Sequence, residues 1–330
     1  MTDGFSRQAS KTAANICFPD ALPAVRETIT RTLQVSDPAM RAVVDHLLQE
    51  NGKNFRASLL LASAAEPDGL VPPEAITAAA ALEILHLATL IHDDVIDEAP
   101  MRRGRPSVQG RFGRKTAVLG GDYLFCICFS MIAAISTRYP EKYTDFARVM
   151  TQICVGELRQ NQQNGNVDLG YVGYLRTIAG KTAALFSLAM YAGSVLGGDS
   201  EKDARLLGRV GFNIGMLFQL ADDCLDYEST PDVLKKSVKH DLAEGVVTLP
   251  LILAFAAEPG LKEIMRGKVL TAAEINDISA AVFRSGGVDR SWQVAERYAL
   301  KARKLLDRIT DATKRDRLIN ILDGIETRIH

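Results

Sequence analysis

Two acidic clusters are where residue type and spacing could first do chemistry. One is His92-Asp93-Asp94-Val95-Ile96-Asp97-Glu98, at the end of a run that is apolar on nearly every face. On a helix of about 3.6 residues per turn, Asp93 and Asp97 fall one above the other and Asp94 lies about 100° round the axis. Like charges held so close repel, and at a C-terminal helix end they also oppose the helix dipole, which favours cations there. A solvated acidic helix end explains one such cluster as well as a metal site does. The pattern recurs, however, in Phe218-Gln219-Leu220-Ala221-Asp222-Asp223-Cys224-Leu225-Asp226, with acids again at i, i+1 and i+4 and again closing an apolar helix. Two matched oxygen clusters point to hard divalent cations, Mg2+ first, which take one or two protein carboxylates each and fill their shell with phosphate and water. A di- or tri-magnesium diphosphate suits such a pair.

Cations accompany the acids: Lys53 and Arg56, Arg102 and Arg103 directly after the first cluster, Lys181, and Lys235 with Lys236. Singly, each reads as a solvated surface charge. Arg102-Arg103-Gly104 says more, because two guanidiniums beside a metal-binding helix end can fork onto phosphate oxygens. His86 is a polar ring in an apolar helix, seven residues and so close to two turns before Asp93, which puts both on one face.

The elements that must hold these residues are helical. Aromatics are only 6% of the chain, and the apolar runs are rich in Ala and Leu rather than alternating Val, Ile and Thr, so no strand is expected. Helices are expected at 23–34, 37–50, 53–65, 73–98, 115–136, 140–165, 171–195, 201–227, 246–257, 272–285, 288–307 and 311–328, cut by Pro and Gly clusters such as Pro72-Pro73 and Gly286-Gly287. This is an all-α bundle, one large domain over 23–330 behind an N-terminal tail of residues 1–22. The polar, lysine-bearing stretch from Glu228 to Gly245 reads as a long functional loop.

Composition removes other classes. Thirty-nine basic against 40 acidic residues give a net charge of −1, which lacks the global attraction that nucleic-acid binders use. Five scattered cysteines form neither a disulfide framework nor a structural zinc site and fit a reducing cytoplasm, with Cys126 and Cys128 read as two buried small hydrophobes. The N-terminus carries no signal-peptide run. The stretches Ala75 to Ile91 and Thr182 to Gly198 fall short of the ~20 clean apolar residues of a span and read as core helices, so no transmembrane segment is expected.

At the residues now named, the chain resembles the trans-isoprenyl diphosphate synthases, or polyprenyl synthetases, and most resembles the long-chain members. The family's two DDxxD motifs are matched by Asp93, Asp94 and Asp97 and by Asp222, Asp223 and Asp226, in the flanks LHLATLIHDDVIDEAPMRRGRPS and GMLFQLADDCLDY. The resemblance implies an all-helical bundle around a central apolar cavity, a homodimer, and Mg2+-dependent head-to-tail condensation of isopentenyl diphosphate with an allylic diphosphate. It implies two or three Mg2+ ions held with the allylic diphosphate by Asp93, Asp97 and Asp222. Arg102, Lys181, Thr182, Gln219 and Lys236 would contact that diphosphate, while Lys53, Arg56, His86 and Arg103 would bind isopentenyl diphosphate in a metal-free site. The chain departs from the family's GGKRxRP at Asn54 and Ala57, which stand for arginine and proline, and from GKxxGxDLxxGKxTLP at Lys239 and Val246.

Three other readings stay in view: a short-chain farnesyl or geranylgeranyl diphosphate synthase, a terpene cyclase, and a subunit of a heteromeric synthase. Product length is expected from Ala88 and Thr89, one to two turns before the acids, where short-chain members commonly carry an aromatic. Ala88 leaves a tunnel open along Ala81, Ile84 and Leu85, with Phe125, Phe129 or Ile132 as candidate floor.

Overall fold

The computed structural model describes residues 14–34, 37–49, 54–102, 104–137, 140, 143–228, 242, 245–267 and 270–329. They fall into two compact units, Met1–Pro140 with Ala192–Ser200, and Glu141–Tyr191 with Glu201–His330.

The first unit is built on α4 (Pro73–Ile96), which Pro73 starts at the first helical position, where its missing N–H costs nothing. Alanines 78 to 81 are buried along it, and their small side chains let neighbours approach closely. Those neighbours are α1 (Phe18–Gln34), α3 (Phe55–Ala64) and, most extensively, α6 (Arg114–Ser136). Leu59, Leu60, Leu61, Ile84, Leu85 and Leu124 are fully buried in this core. Two short helices, α2 (Pro38–Leu47) and α5 (Val108–Phe112), complete the unit.

Helices also make the second unit. They are α7 (Tyr143–Gln163), α8 (Tyr171–Ile178), a π-helical turn (Ala179–Ala183), and α9 (Ala184–Leu196), whose last residues group with the first unit. After them come α10 (Glu201–Glu228), α11 (Leu249–Ala257), α12 (Gly260–Met265), α13 (Ala272–Arg284), α14 (Gly287–Leu306) and α15 (Ala312–Ile329). α10 packs most extensively on α14 and also seats the π turn. Gly215 makes the second contact possible, since a Cβ there would stand 2.6 Å from Ala183 Cα.

The all-α class holds, and several boundaries move. Four two-residue strands are present where none is expected: Ile16–Cys17 (β1) pairs antiparallel with Leu70–Val71 (β2), and Met101–Arg102 (β3) with Arg105–Pro106 (β4). Strands of two residues carry no periodicity to read. The first helix begins at Phe18 rather than Pro23, so residues 16–22 of the expected tail are ordered, with the Phe18 amide donating to Gly69 O at 2.9 Å. The helix expected over 171–195 contains the π turn. Cys128 is buried but Cys126 is exposed, because helical residues two apart point about 200° apart and cannot share one core face.

Three helical stretches, Pro73–Ile96, Arg114–Ser136 and Tyr171–Leu196, are long and apolar enough by length and composition alone to cross a bilayer. The first and third are 67% and 61% buried within the protein, but α6 only 28%.

Candidate active site

In the first unit α4 ends inside the acidic cluster. Asp97 caps it, its amide bonding Asp93 O at 2.8 Å. Asp93 is half-buried and Asp97 exposed, whereas Asp94 is buried, and Arg102 Nε donates to both of its oxygens at 2.8 and 3.0 Å. The β3–β4 hairpin places Arg102 there: it turns through Gly104 at φ 81°, a left-handed conformation that suits glycine. Gln109 on α5 reaches back to the helix end, its amide donating to Asp94 O and, at 3.1 Å, to Ala99 O. The Asp94 carbonyl also accepts from the Ala99 amide at 2.9 Å and the Ala99 carbonyl from Ser107 Oγ at 2.6 Å, so Gln109 adds a second donor to each and ties α5 to the end of α4. Upstream on α4, His92 Nε2 lies 3.2 Å from Val118 O and 3.5 Å from Asp122 on α6, its ring tilted against Phe125 at 5.4 Å.

The cations expected to serve the second substrate are partly in view. Arg56 on α3 and His86 on α4 are both half-buried in the first unit. Lys53 and Arg103 lie outside the described residues. Asn54 takes the left-handed conformation, φ 51°, at the N-cap of α3 and makes no side-chain cap bond. The Ala57 amide, in the first turn, donates instead to Glu83 Oε1 of α4 at 3.0 Å. Burial pushes the Glu83 carboxyl above its ordinary range, with the Ala57 amide and the Arg56 guanidinium pulling the other way.

The second unit repeats the arrangement with different donors. Asp222 and Asp226 are half-buried near the end of α10, and Asp223 is buried. Tyr174 Oη of α8 donates to one oxygen of Asp223, and Gln219 Nε2 donates to the other at 2.8 Å. Thr182 Oγ1 in turn donates to Gln219 Oε1 at 2.7 Å. Burial, then the Asp223 charge, push the Tyr174 phenol well above its ordinary range, so it remains a donor. Lys181 Nζ pairs with Glu157 Oε2 of α7 at 2.8 Å. α7 comes this close because residue 156 is glycine: a Cβ there would stand 2.6 Å from the Lys181 amide nitrogen. Gln160, Gln163, Tyr174, Lys181, Gln219 and Asp223 are among the residues lining one open pocket in this unit. Lys235, Lys236 and Lys239 lie outside the described residues, as does most of the 228–245 loop.

Sequence reading thus passed over Tyr174, Glu157, Glu83 and His92. Tyr174 lies 49 residues from the Asp223 it bonds, on a different helix, and no local spacing points to it. Among the described residues, no group of three or more His, Cys, Asp or Glu is arranged to hold an ion unaided.

A family model described as polyprenyl synthetase matches residues 37–282. Component 2 of the heptaprenyl diphosphate synthase of Geobacillus stearothermophilus is 34% identical over 87% of this chain and 89% of its own length. The nonaprenyl diphosphate synthase of Mycobacterium tuberculosis is 32% identical over 98% and 99%. Among solved structures, the heptaprenyl diphosphate synthase of Staphylococcus aureus superposes with a TM-score of 0.89 at 27% identity, covering 96% of this chain and all of that one. A polyprenyl synthase of Caulobacter crescentus complexed with calcium and isoprenyl diphosphate gives 0.85 at 31% identity over 94% and 96%.

Proposed function

The chain belongs to the polyprenyl synthetase family and is a prenyltransferase, and from that premise we propose that it condenses isopentenyl diphosphate head-to-tail with an allylic diphosphate, adding units until the product is a long-chain polyprenyl diphosphate. One observation carries this reading. Each acidic motif commits its second aspartate to the protein, Asp94 to Arg102 and Asp223 to Tyr174 and Gln219, which fixes the first and fifth aspartates at the helix ends.

That donor set fits Mg2+, which needs one or two carboxylates per ion rather than a protein cage. Asp93, Asp97 and Asp222 would hold two or three ions with the allylic diphosphate, and the metal would supply neutralisation of the leaving diphosphate. The chain's own cations add to this. Arg102, anchored by Asp94, and Lys181, anchored by Glu157, are placed before substrate arrives, so little reorganisation is needed as charge develops on the diphosphate. Thr182, Gln219 and Lys236 would contact the same oxygens. Arg56 and His86, with Lys53 and Arg103, would bind the isopentenyl diphosphate and aim its double bond at the allylic carbon. The allylic C–O bond would break to give an allylic cation and free diphosphate, and the isopentenyl double bond would attack that cation to form the C–C bond. The tertiary cation left behind would lose a proton from the adjacent C2 to the released diphosphate, restoring a double bond. Buried Ala81, Ile84, Leu85 and Ala88 would keep water from the cation and leave room for the tail. Residues 23–330 would act as one catalytic domain, in the cytoplasm.

Incubating the purified chain with labelled isopentenyl diphosphate, farnesyl diphosphate and Mg2+ tests the reading: products beyond the twenty-carbon class are expected. Absence of incorporation overturns it, and a ladder ending at fifteen or twenty carbons replaces it with a short-chain synthase. Asp93→Ala and Asp222→Ala should each lower turnover by several orders of magnitude. A second reading, one subunit of a heteromeric synthase, is favoured by the relative named component 2. It requires that the chain alone be inactive and that a partner restore turnover.

A further inference from the structure

Glu83 is a carboxylate in the middle of the apolar face of α4, and it is only 8% exposed. Burying such a group is costly unless something nearby uses its charge or its acceptor capacity, and a leucine would fill the space more cheaply. Its partner is the Ala57 amide, in the first turn of α3. Helix N-termini leave such amides without internal partners, and the usual remedy is the side chain of the N-cap residue. Here the N-cap residue, Asn54, is left-handed and gives no such bond, so the cap comes from a different helix. The donor exists only because Ala57 stands where the related motif has proline, which has no N–H. Arg56 immediately precedes the bonded amide, and His86 follows Glu83 by one turn of α4.

We propose that Glu83 is a positioning residue for the homoallylic diphosphate: by bonding the Ala57 amide it fixes the turn of α3 that carries Arg56 against the stretch of α4 that carries His86. The inference rests on the isopentenyl diphosphate role given to those two residues above. Removing the negative charge has two opposite effects on an anion bound at Arg56. It raises the local positive potential, which tightens binding, and it releases the turn, which loosens it. The second wins, because a guanidinium grips phosphate through a planar fork that must be aimed, and misplacement of a positioning group is penalised steeply.

Steady-state kinetics with isopentenyl and farnesyl diphosphates test the assignment on the full chain. Glu83→Leu is expected to raise KM for isopentenyl diphosphate about tenfold while KM for farnesyl diphosphate and kcat stay within about twofold. Glu83→Gln keeps an acceptor for the amide and should bring the rise back to about threefold. A cap with only a structural role would lower Tm and leave both KM values where they were. An unchanged KM for isopentenyl diphosphate in folded Glu83→Leu, or equal rises for both substrates, overturns the proposal. If Glu83→Leu does not fold, Glu83→Gln decides alone, and absence of a selective rise overturns it. A wild-type chain that incorporates nothing overturns the functional reading and this proposal together, whereas an active wild type with non-selective variants overturns the positioning role only.

Discussion

At the scale of single residues, the division of labour within each acidic motif makes sharp predictions. Tyr174→Phe removes a side-chain donor to a buried carboxylate, and a bond to a charged group is worth about 1.5–3 kcal/mol. The variant should lose stability in that range on chemical denaturation. Its kcat should fall by about an order of magnitude, less than for Asp222→Ala, because Tyr174 orients Asp223 rather than touching substrate. Wild-type kcat would show that the bond has no bearing on catalysis. Glu83 predicts a pH effect. Its folded pKa lies above its ordinary value of 4.5 because burial outweighs its partners. The stability it contributes is therefore complete below about pH 4.5 and is lost as pH rises through the folded value. The stability of wild type relative to Glu83→Gln should decline from pH 4.5 towards neutrality, as equilibrium unfolding would reveal, and a flat difference would contradict the assignment. The aspartates were legible in the sequence because their spacing is local. Their partners were not. Tyr174 lies 49 residues from Asp223 and Glu157 lies 24 from Lys181, separations at which helical periodicity carries no information.

Helices of the length and apolarity seen here announce themselves, and α4, α6 and α10 emerged within a residue or two of their expected limits. What stayed hidden at the element scale are features made by tertiary contact: two-residue strand pairs, the early start of α1, and the π turn. A π turn inserts a wider loop into the helical ladder, and nothing in Ala-Gly-Lys-Thr-Ala requires it. Product length is also a property of an element, because the tail must run along one helix. Ala88 is fully buried on α4, as are Ala81, Ile84 and Leu85, while Thr89 is half-buried with its hydroxyl bonded to His86 O at 2.8 Å. Of the expected floor residues on α6, Phe125 and Ile132 are half-buried and Phe129 is 39% exposed. Phe125 and Phe129 stack with ring centroids 6.5 Å apart. Ala88→Tyr should shorten the product ladder to fifteen or twenty carbons with total incorporation largely retained. An unchanged ladder would place the stop on another element.

At the scale of the whole molecule, the question is what covers α6. Its apolar window has the highest mean hydropathy of the three long stretches, 1.9, and the least burial, 28%. Val118, Leu119 and Phe129 are exposed at 38%, 56% and 39%. An exposed apolar stripe of that length marks a surface that a protein partner or a lipid phase covers. A second copy of the chain is the simplest occupant, because one face then serves both subunits about a two-fold axis. The family resemblance implies the same homodimer, while the relative named component 2 keeps a different protein in view. Leu119→Glu separates these possibilities. A charge in a self-complementary apolar face is buried twice in a two-fold dimer, once on each subunit, so desolvation opposes assembly. Wild type should sediment as a dimer near twice 35.9 kDa and Leu119→Glu as a monomer with an unchanged helical spectrum. The exposed Cys126 lies seven residues beyond Leu119, two turns on and so on the same stripe. Its thiol should react slowly with a thiol reagent in the wild type and quickly in the variant. A wild type that is monomeric at micromolar concentration, with Cys126 fully reactive, would leave α6 to a different partner and favour the heteromeric reading. A variant that stays dimeric would move the subunit interface off this helix.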